Sequence, residues 1–207
     1  MPSESEVLLK LFKACLDCRY EQVENGGSYA VIRDGGLMYI FFEKSNGLED
    51  WQNNFGYHSV RYPRADDSWF CHEGFLKVWE SVLPYLCEAI DDALDGVISV
   101  GYSHGAALAL LCHEYVWYKR HDIRDGSFGV GFGCPRVIWG RVPFEKERWR
   151  NFFVIRNLDD LVTHLPPTLF GYRHVGNIIE IGDAGNYSMI DAHRSESYIR
   201  ELEKTLN

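Results

Sequence analysis

Concentrated positive charge is missing from this sequence. Its 207 residues carry 21 Lys and Arg against 30 Asp and Glu, a net charge of -9, and no stretch is strongly basic. That argues against a nucleic-acid partner, because neutralising phosphates needs clustered cations. Attraction to anionic membrane surfaces is disfavoured on the same ground. A long apolar run is missing too, so no transmembrane segment is expected. The first residues, Met1-Pro2-Ser3-Glu4-Ser5-Glu6, have neither a basic n-region nor an apolar h-region. No secretory signal is visible, which predicts a cytoplasmic protein with reduced, mostly buried thiols. Of the six cysteines, Cys15 and Cys18 form a lone C-x-x-C with no second pair at zinc-ribbon spacing, and Cys71, Cys87, Cys112 and Cys134 stand apart. Structural zinc needs four ligands, so no metal is expected. Internal repeats, low-complexity tracts and linkers are absent as well. With 46% hydrophobic residues the chain has enough apolar surface for one core, and residues 1–207 are expected to form one domain.

What is present is an alternation of strand and helix patterns. Val7, Leu8, Leu11, Phe12, Cys15 and Leu16 repeat at helical spacing and predict an outer helix from about Ser5 to Glu21. Asn25-Gly26-Gly27 then breaks the chain. Tyr29–Arg33 and Leu37–Phe42 read as strands joined by a hairpin turn at Asp34-Gly35-Gly36. The second run is apolar throughout, which predicts a central strand covered on both faces. His58–Tyr62 reads as a strand stopped by Pro63, and Gly74–Leu94 as a long helix that Pro84 must kink or interrupt. Strand patterns follow at Val97–Val100, Ser127–Phe132, Phe152–Ile155, His174–Gly176 and Ile178–Ile181, the last two as a pair. Helices are predicted over Ala106–Cys112, Arg141–Arg150 and Asp191–Leu206, with Asp191 near the N-cap of the last. The order predicts an α/β fold: a mostly parallel central sheet with helices on both faces and an N-terminal hairpin. In such a sheet catalytic groups collect at the C-terminal ends of the strands.

Gly101-Tyr102-Ser103-His104-Gly105 fits Gly-x-Ser-x-Gly. The pattern alone is weak, but here a β-branched strand precedes it and a run of helix formers follows. Strand, motif and helix together describe a turn that lifts a serine hydroxyl out of the top of a sheet. The bland alternative is a serine that merely caps a helix. A nucleophilic serine needs a histidine to take its proton and a carboxylate to orient that histidine. On α/β-hydrolase folds these follow in the order Ser, acid, His. The acids emerging from a later strand are Asp159 and Asp160, and the later histidines are His164, His174 and His193. His164 shares a loop with the acids and His174 begins a strand. His193, on the loop into the last helix, is favoured by position.

These residues resemble the fungal-type triacylglycerol lipases, the lipase class 3 family, from about Met38 to Tyr198. Ser45 followed by Leu48, Trp51 and Phe55 is similar to the family's oxyanion residue and lid helix. His72-Glu73-Gly74-Phe75, the Ser103 elbow, and Phe132-Gly133-Cys134-Pro135-Arg136 resemble three further family segments in order. Asn157-Leu158-Asp159-Asp160-Leu161-Val162 with Leu165-Pro166 resembles the acid segment, and the matching acid is Asp160. His174-Val175-Gly176 matches a family strand, and His193, followed by Tyr198, falls where the family has its catalytic histidine. The chain departs at Glu43-Lys44-Ser45, where Arg-Gly-Thr or Arg-Gly-Ser is usual. It departs again at Tyr102 and His104, which stand in an elbow that commonly reads Gly-His-Ser-Leu-Gly.

The resemblance implies an α/β-hydrolase that cleaves carboxylic esters of lipids through an acyl-enzyme. Ser103 is then the nucleophile, His193 the base and Asp160 its orienter. Backbone N–H groups of His104 and Ser45, with the Ser45 hydroxyl, form the oxyanion hole. The substrate is a lipid or small ester, taken at a lipid–water interface if Leu48, Trp51 and Phe55 line a moving cover, and no cofactor is required. Two alternatives stay open: a catalytically silent binding module on the same fold, and a phospholipase or soluble-ester esterase with the same triad.

Overall fold

The computed structural model describes residues 3–24, 26–44, 56–63 and 68–206 of the chain. Helix α1 (Glu4–Asp17) starts at Ser3, whose hydroxyl accepts from the Glu6 N–H while the Glu6 carboxylate accepts from the Ser3 N–H. It ends at Asp17 rather than Glu21, because the backbone turns extended at Cys18. Glu21 instead opens a short strand, β1 (Glu21–Gln22), antiparallel to β2 (Ser28–Asp34). Strands β2 and β3 (Leu37–Phe42) pair with Asp34 opposite Leu37, so Gly35-Gly36 is a two-residue turn, and Gly35 takes φ +60°.

Two short strands follow, β4 (Ser59–Arg61) and β5 (Phe70–His72). Helix α2 (Glu73–Asp91) runs through Pro84 without interruption. Strand β6 (Gly96–Tyr102) leads through Ser103 into α3 (His104–Lys119). After β7 (Phe128–Phe132) and β8 (Ile138–Trp139), the helix expected over Arg141–Arg150 is a single turn, α4 (Glu145–Arg148). Strand β9 (Phe152–Asn157) carries the acid loop at its end. The expected strand pair at 174–176 and 178–181 does not form. β10 (Tyr172–Arg173) and β11 (Asn177–Ile181) belong to different sheets, and His174–Gly176 is the connection between them. Asp191 does not cap the last helix: it opens a 3-10 turn, Asp191–His193, and α5 (Ser195–Lys204) begins after Arg194.

The main sheet has the order β1-β2-β3-β6-β7-β9-β11, parallel from β3 to β11 and antiparallel at the β1-β2-β3 edge. A second, antiparallel sheet has the order β10-β8-β5-β4. Side chains of β6 alternate between two cores. Val97 packs with α2 and α3, whereas Ile98, Val100 and Tyr102 pack with α1 and α5. Helices thus cover both faces, and Ser103 emerges at the C-terminal edge of the parallel strands. Among the described residues, no helix is long and apolar enough to cross a membrane.

Candidate active site

Ser103 occupies the N-cap of α3, yet its side chain makes no capping bond. Its backbone sits at φ 58° and ψ -122°, a conformation that L residues avoid, so the surrounding structure must impose it. The glycines of the motif show how. A methyl on Gly101 would lie 2.1 Å from the Gly105 carbonyl oxygen, and one on Gly105 would lie 2.2 Å from that of Phe42. The strand, turn and helix therefore pack backbone to backbone, and the Ser103 N–H donates to the Phe132 carbonyl at 2.9 Å. The free hydroxyl points to His193, with Oγ 2.8 Å from Nε2.

The partner side is built from sequence-distant pieces. His193 Nδ1 lies 2.7 Å from Asp160 Oδ2, and both side chains are buried. Asp160 is fixed on each side: its Oδ1 accepts from the Val162 N–H at 2.9 Å, and its Oδ2 from the Tyr198 hydroxyl at 2.6 Å. Tyr198 in turn accepts the Asn157 N–H at 3.2 Å, and the Asn157 amide donates to the Ala192 carbonyl at 3.0 Å, tying the strand that leads to Asp160 to the turn that carries His193. Burial and the neighbouring Asp160 carboxylate push the Tyr198 hydroxyl well above its usual pKa, which keeps it a donor. Gly133, at φ +56°, passes under both groups. A methyl there would meet His193 Cε1 at 2.9 Å and Asp160 Oδ2 at 3.1 Å.

The competing candidates go elsewhere. Asp159 turns outward and accepts from the Gly185 and Tyr187 N–H groups. His174 Nε2 lies 2.7 Å from the Thr163 carbonyl. His164 ends the 3-10 turn Leu161–His164, and its carbonyl accepts from Arg136. His104 starts α3, its imbedded ring 5.6 Å from that of Phe75, and burial lowers its pKa to about 4, so it is neutral near pH 7. Ser45, Leu48, Trp51 and Phe55 lie outside the described residues. Asn157, Gly133 and Tyr198 stand in the family motifs, but the sequence alone assigns them no role, because the signal for each is a long-range contact. All six cysteines are free, and desolvation pushes the Cys15 thiol up to about 12.

A hydroxyl, an imidazole and a carboxylate in this order form a relay that takes a proton from the hydroxyl and returns it. A family model, Lipase (class 3), matches residues 39–170. The chain belongs to the class 3 lipase family. A lipase of Rhizomucor miehei is 29% identical over 161 residues, covering 70% of this chain and 42% of that protein. A secreted mono- and diacylglycerol lipase of Malassezia restricta is 30% identical over 137 residues, covering 60% of this chain and 42% of the relative. The chain thus spans less than half the length of these curated relatives. The solved structure of the Rhizomucor miehei triacylglyceride lipase superposes with a TM-score of 0.72 at 20% identity, covering 93% of this chain and 94% of that one, and shares the α/β-hydrolase-like fold. The expected cytoplasmic location does not stand, because the Malassezia relatives of this chain are secreted lipases. The residues at the start of a chain do not fix its compartment, and a buried thiol is shielded from oxidants in any compartment.

Proposed function

We propose that this class 3 lipase hydrolyses carboxylic esters of lipids, acylglycerols foremost, through an acyl-enzyme on Ser103. One observation carries the reading. Ser103 stands where a serine would cap a helix, yet its hydroxyl leaves the helix for His193 Nε2 at 2.8 Å. In the reaction Ser103 Oγ attacks the ester carbonyl carbon as its proton passes to His193. Asp160 holds the imidazole in the tautomer that accepts at Nε2 and stabilises the imidazolium that forms. The first N–H groups of a helix have no partner within it, so the His104 N–H at the start of α3 is placed to meet the oxyanion. Ser45 supplies the second donor on the family resemblance. One such donor lowers the barrier by about 3–4 kcal/mol. The bond to the alcohol then breaks as His193 returns the proton to the leaving oxygen. Water, deprotonated by the same imidazole, releases the acid.

Two features support a lipid substrate over a small polar ester. Relatives are named for acylglycerol hydrolysis. Exposed apolar side chains also border the loops of the site: Met189 and Ile190 before His193, and Leu169 and Phe170 after the acid loop. We read residues 1–207 as one working unit, because His193 lies beyond the segment that the family model matches. The test is turnover of a nitrophenyl ester and of an emulsified acylglycerol, with fluorophosphonate labelling. Stoichiometric labelling of Ser103, and loss of both activities in Ser103→Ala, are expected. Labelling or turnover that survives in Ser103→Ala overturns the reading.

A further inference from the structure

Strand β6 turns Tyr102 to the side of the sheet where α1 and α5 pack, and so brings it under the base. Its ring stacks on the His193 imidazole, with centroids 5.3 Å apart and planes at 29°. Its hydroxyl donates to the His193 carbonyl oxygen. The ring is itself clamped. Phe12 of α1 meets it edge-on at 5.2 Å, Tyr198 lies at 6.0 Å, and the Lys44 ammonium sits 5.9 Å from its centroid. One side chain therefore touches the base twice, at the ring and at the main chain, while its own backbone leads directly into Ser103.

Among the described residues, the other side-chain bonds to the main chain of the 3-10 turn Asp191–His193 end on Asp191 and Ala192, and the Tyr102 bond ends on the main chain of His193. A plain core tyrosine would also bury its ring and find an acceptor for its hydroxyl. The difference lies in which acceptor is used. A phenylalanine would fill the same space and stack on the same imidazole, but only the hydroxyl reaches the main chain of His193. Burial raises the Tyr102 hydroxyl far above its usual pKa, so it remains a donor at any working pH.

We propose that Tyr102 is a positioning residue: its ring sets the plane of the His193 imidazole and its hydroxyl sets the main chain that carries it, which keeps Nε2 aimed at Ser103 Oγ. The proposal rests on the reading of this site as a serine hydrolase. Displacing a reacting group by an ångström costs on the order of a hundredfold in rate, and losing one of two restraints should cost less. The experiment compares Tyr102→Phe and Tyr102→Leu with the parent, with kcat expressed per fluorophosphonate-titrated site. A second readout is the downfield Nδ1–H proton resonance of His193, identified by its loss in His193→Ala. Tyr102→Phe should lower kcat about tenfold with KM nearly unchanged, Tyr102→Leu should lower it further, and the resonance should shift or broaden in both. An unchanged kcat per titrated site and an unchanged resonance in Tyr102→Phe overturn the proposal, whatever happens to the melting temperature. A parent that hydrolyses no ester while its resonance still responds to Tyr102→Phe sinks the hydrolase reading instead and leaves the contact standing.

Discussion

Around Ser103 the backbone makes the contacts: Gly101 lies against the Gly105 carbonyl, Gly105 against that of Phe42, and the serine N–H bonds to Phe132. Around Asp160 and His193, 33 residues apart in the chain, side chains make them. The Tyr198 hydroxyl and the Asn157 amide hold the strand end at Asp160 and the turn of His193 together. A nucleophile set by close backbone packing is tolerant of its neighbours' side chains and intolerant of any added atom. A base set by hydrogen bonds between distant segments has the opposite weakness. It survives small steric changes away from the site and fails when one polar partner is lost.

The largest test of that contrast is the acid. Asp160→Asn keeps the shape but lets the amide favour the wrong imidazole tautomer, and kcat should fall about 10⁴-fold. Asp159→Asn, one residue away but turned to Gly185 and Tyr187, should stay within about twofold, as expected for a group that makes no contact with the base. Initial rates on a soluble ester measure both, and a larger loss in Asp159→Asn would sink the assignment.

The next test puts a backbone-type constraint into the base half. Gly133→Ala adds a methyl at φ +56°, within 2.9 Å of the His193 ring. It should cost roughly a hundredfold in kcat by displacing the base. Burst labelling of Ser103 by fluorophosphonate should slow in parallel. A methyl that leaves kcat unchanged would show that the base half yields sterically.

Acid separates the halves more gently. His72, His104 and His113 pack on or beside α2 and α3 on the nucleophile side, and burial lowers each from 6.5 to about 4. Between those values the unfolded chain binds protons that the folded chain refuses. The stability these rings allow is therefore complete above pH 6.5 and lost as pH falls toward 4. Urea midpoints should drop across that window, and His113→Leu should flatten the drop. An unaltered slope in His113→Leu would mean that this ring takes up its proton while folded.

The same division explains what could be read from the sequence. The turn at Ser103 is legible because its constraints are local: a β-branched strand, two glycines at fixed offsets and a helix-forming run. The parallel sheet was legible for the same reason, since each strand carries its own apolar pattern. The residues alone leave Asp159 beside Asp160 and favour His193 over His174 only by position, and the family motifs narrow both, because the deciding contacts span dozens of positions. The second sheet went unseen apart from β4, as its strands are two or three residues long and hold no periodicity. Pro84 does not interrupt its helix: a proline inside a packed helix loses a hydrogen bond, and tertiary packing along Trp79, Val82, Leu83 and Leu86 holds the helix through it. The N-terminal residues were overweighted too, in placing the protein in the cytoplasm.

Phe12 lies outside the segment matched by the family, yet its ring is within 4.5 to 5.8 Å of Phe132, Tyr102 and Tyr198, the aromatic floor beneath Ser103, His193 and Asp160. The helix that carries it is the outermost layer on that face, and outer layers are where a warmed protein frays first. Fraying of α1 withdraws the floor before the central strands part. Heat should therefore abolish the proposed esterase activity while most of the secondary structure is still present, so the useful temperature range is narrower than the melting curve suggests.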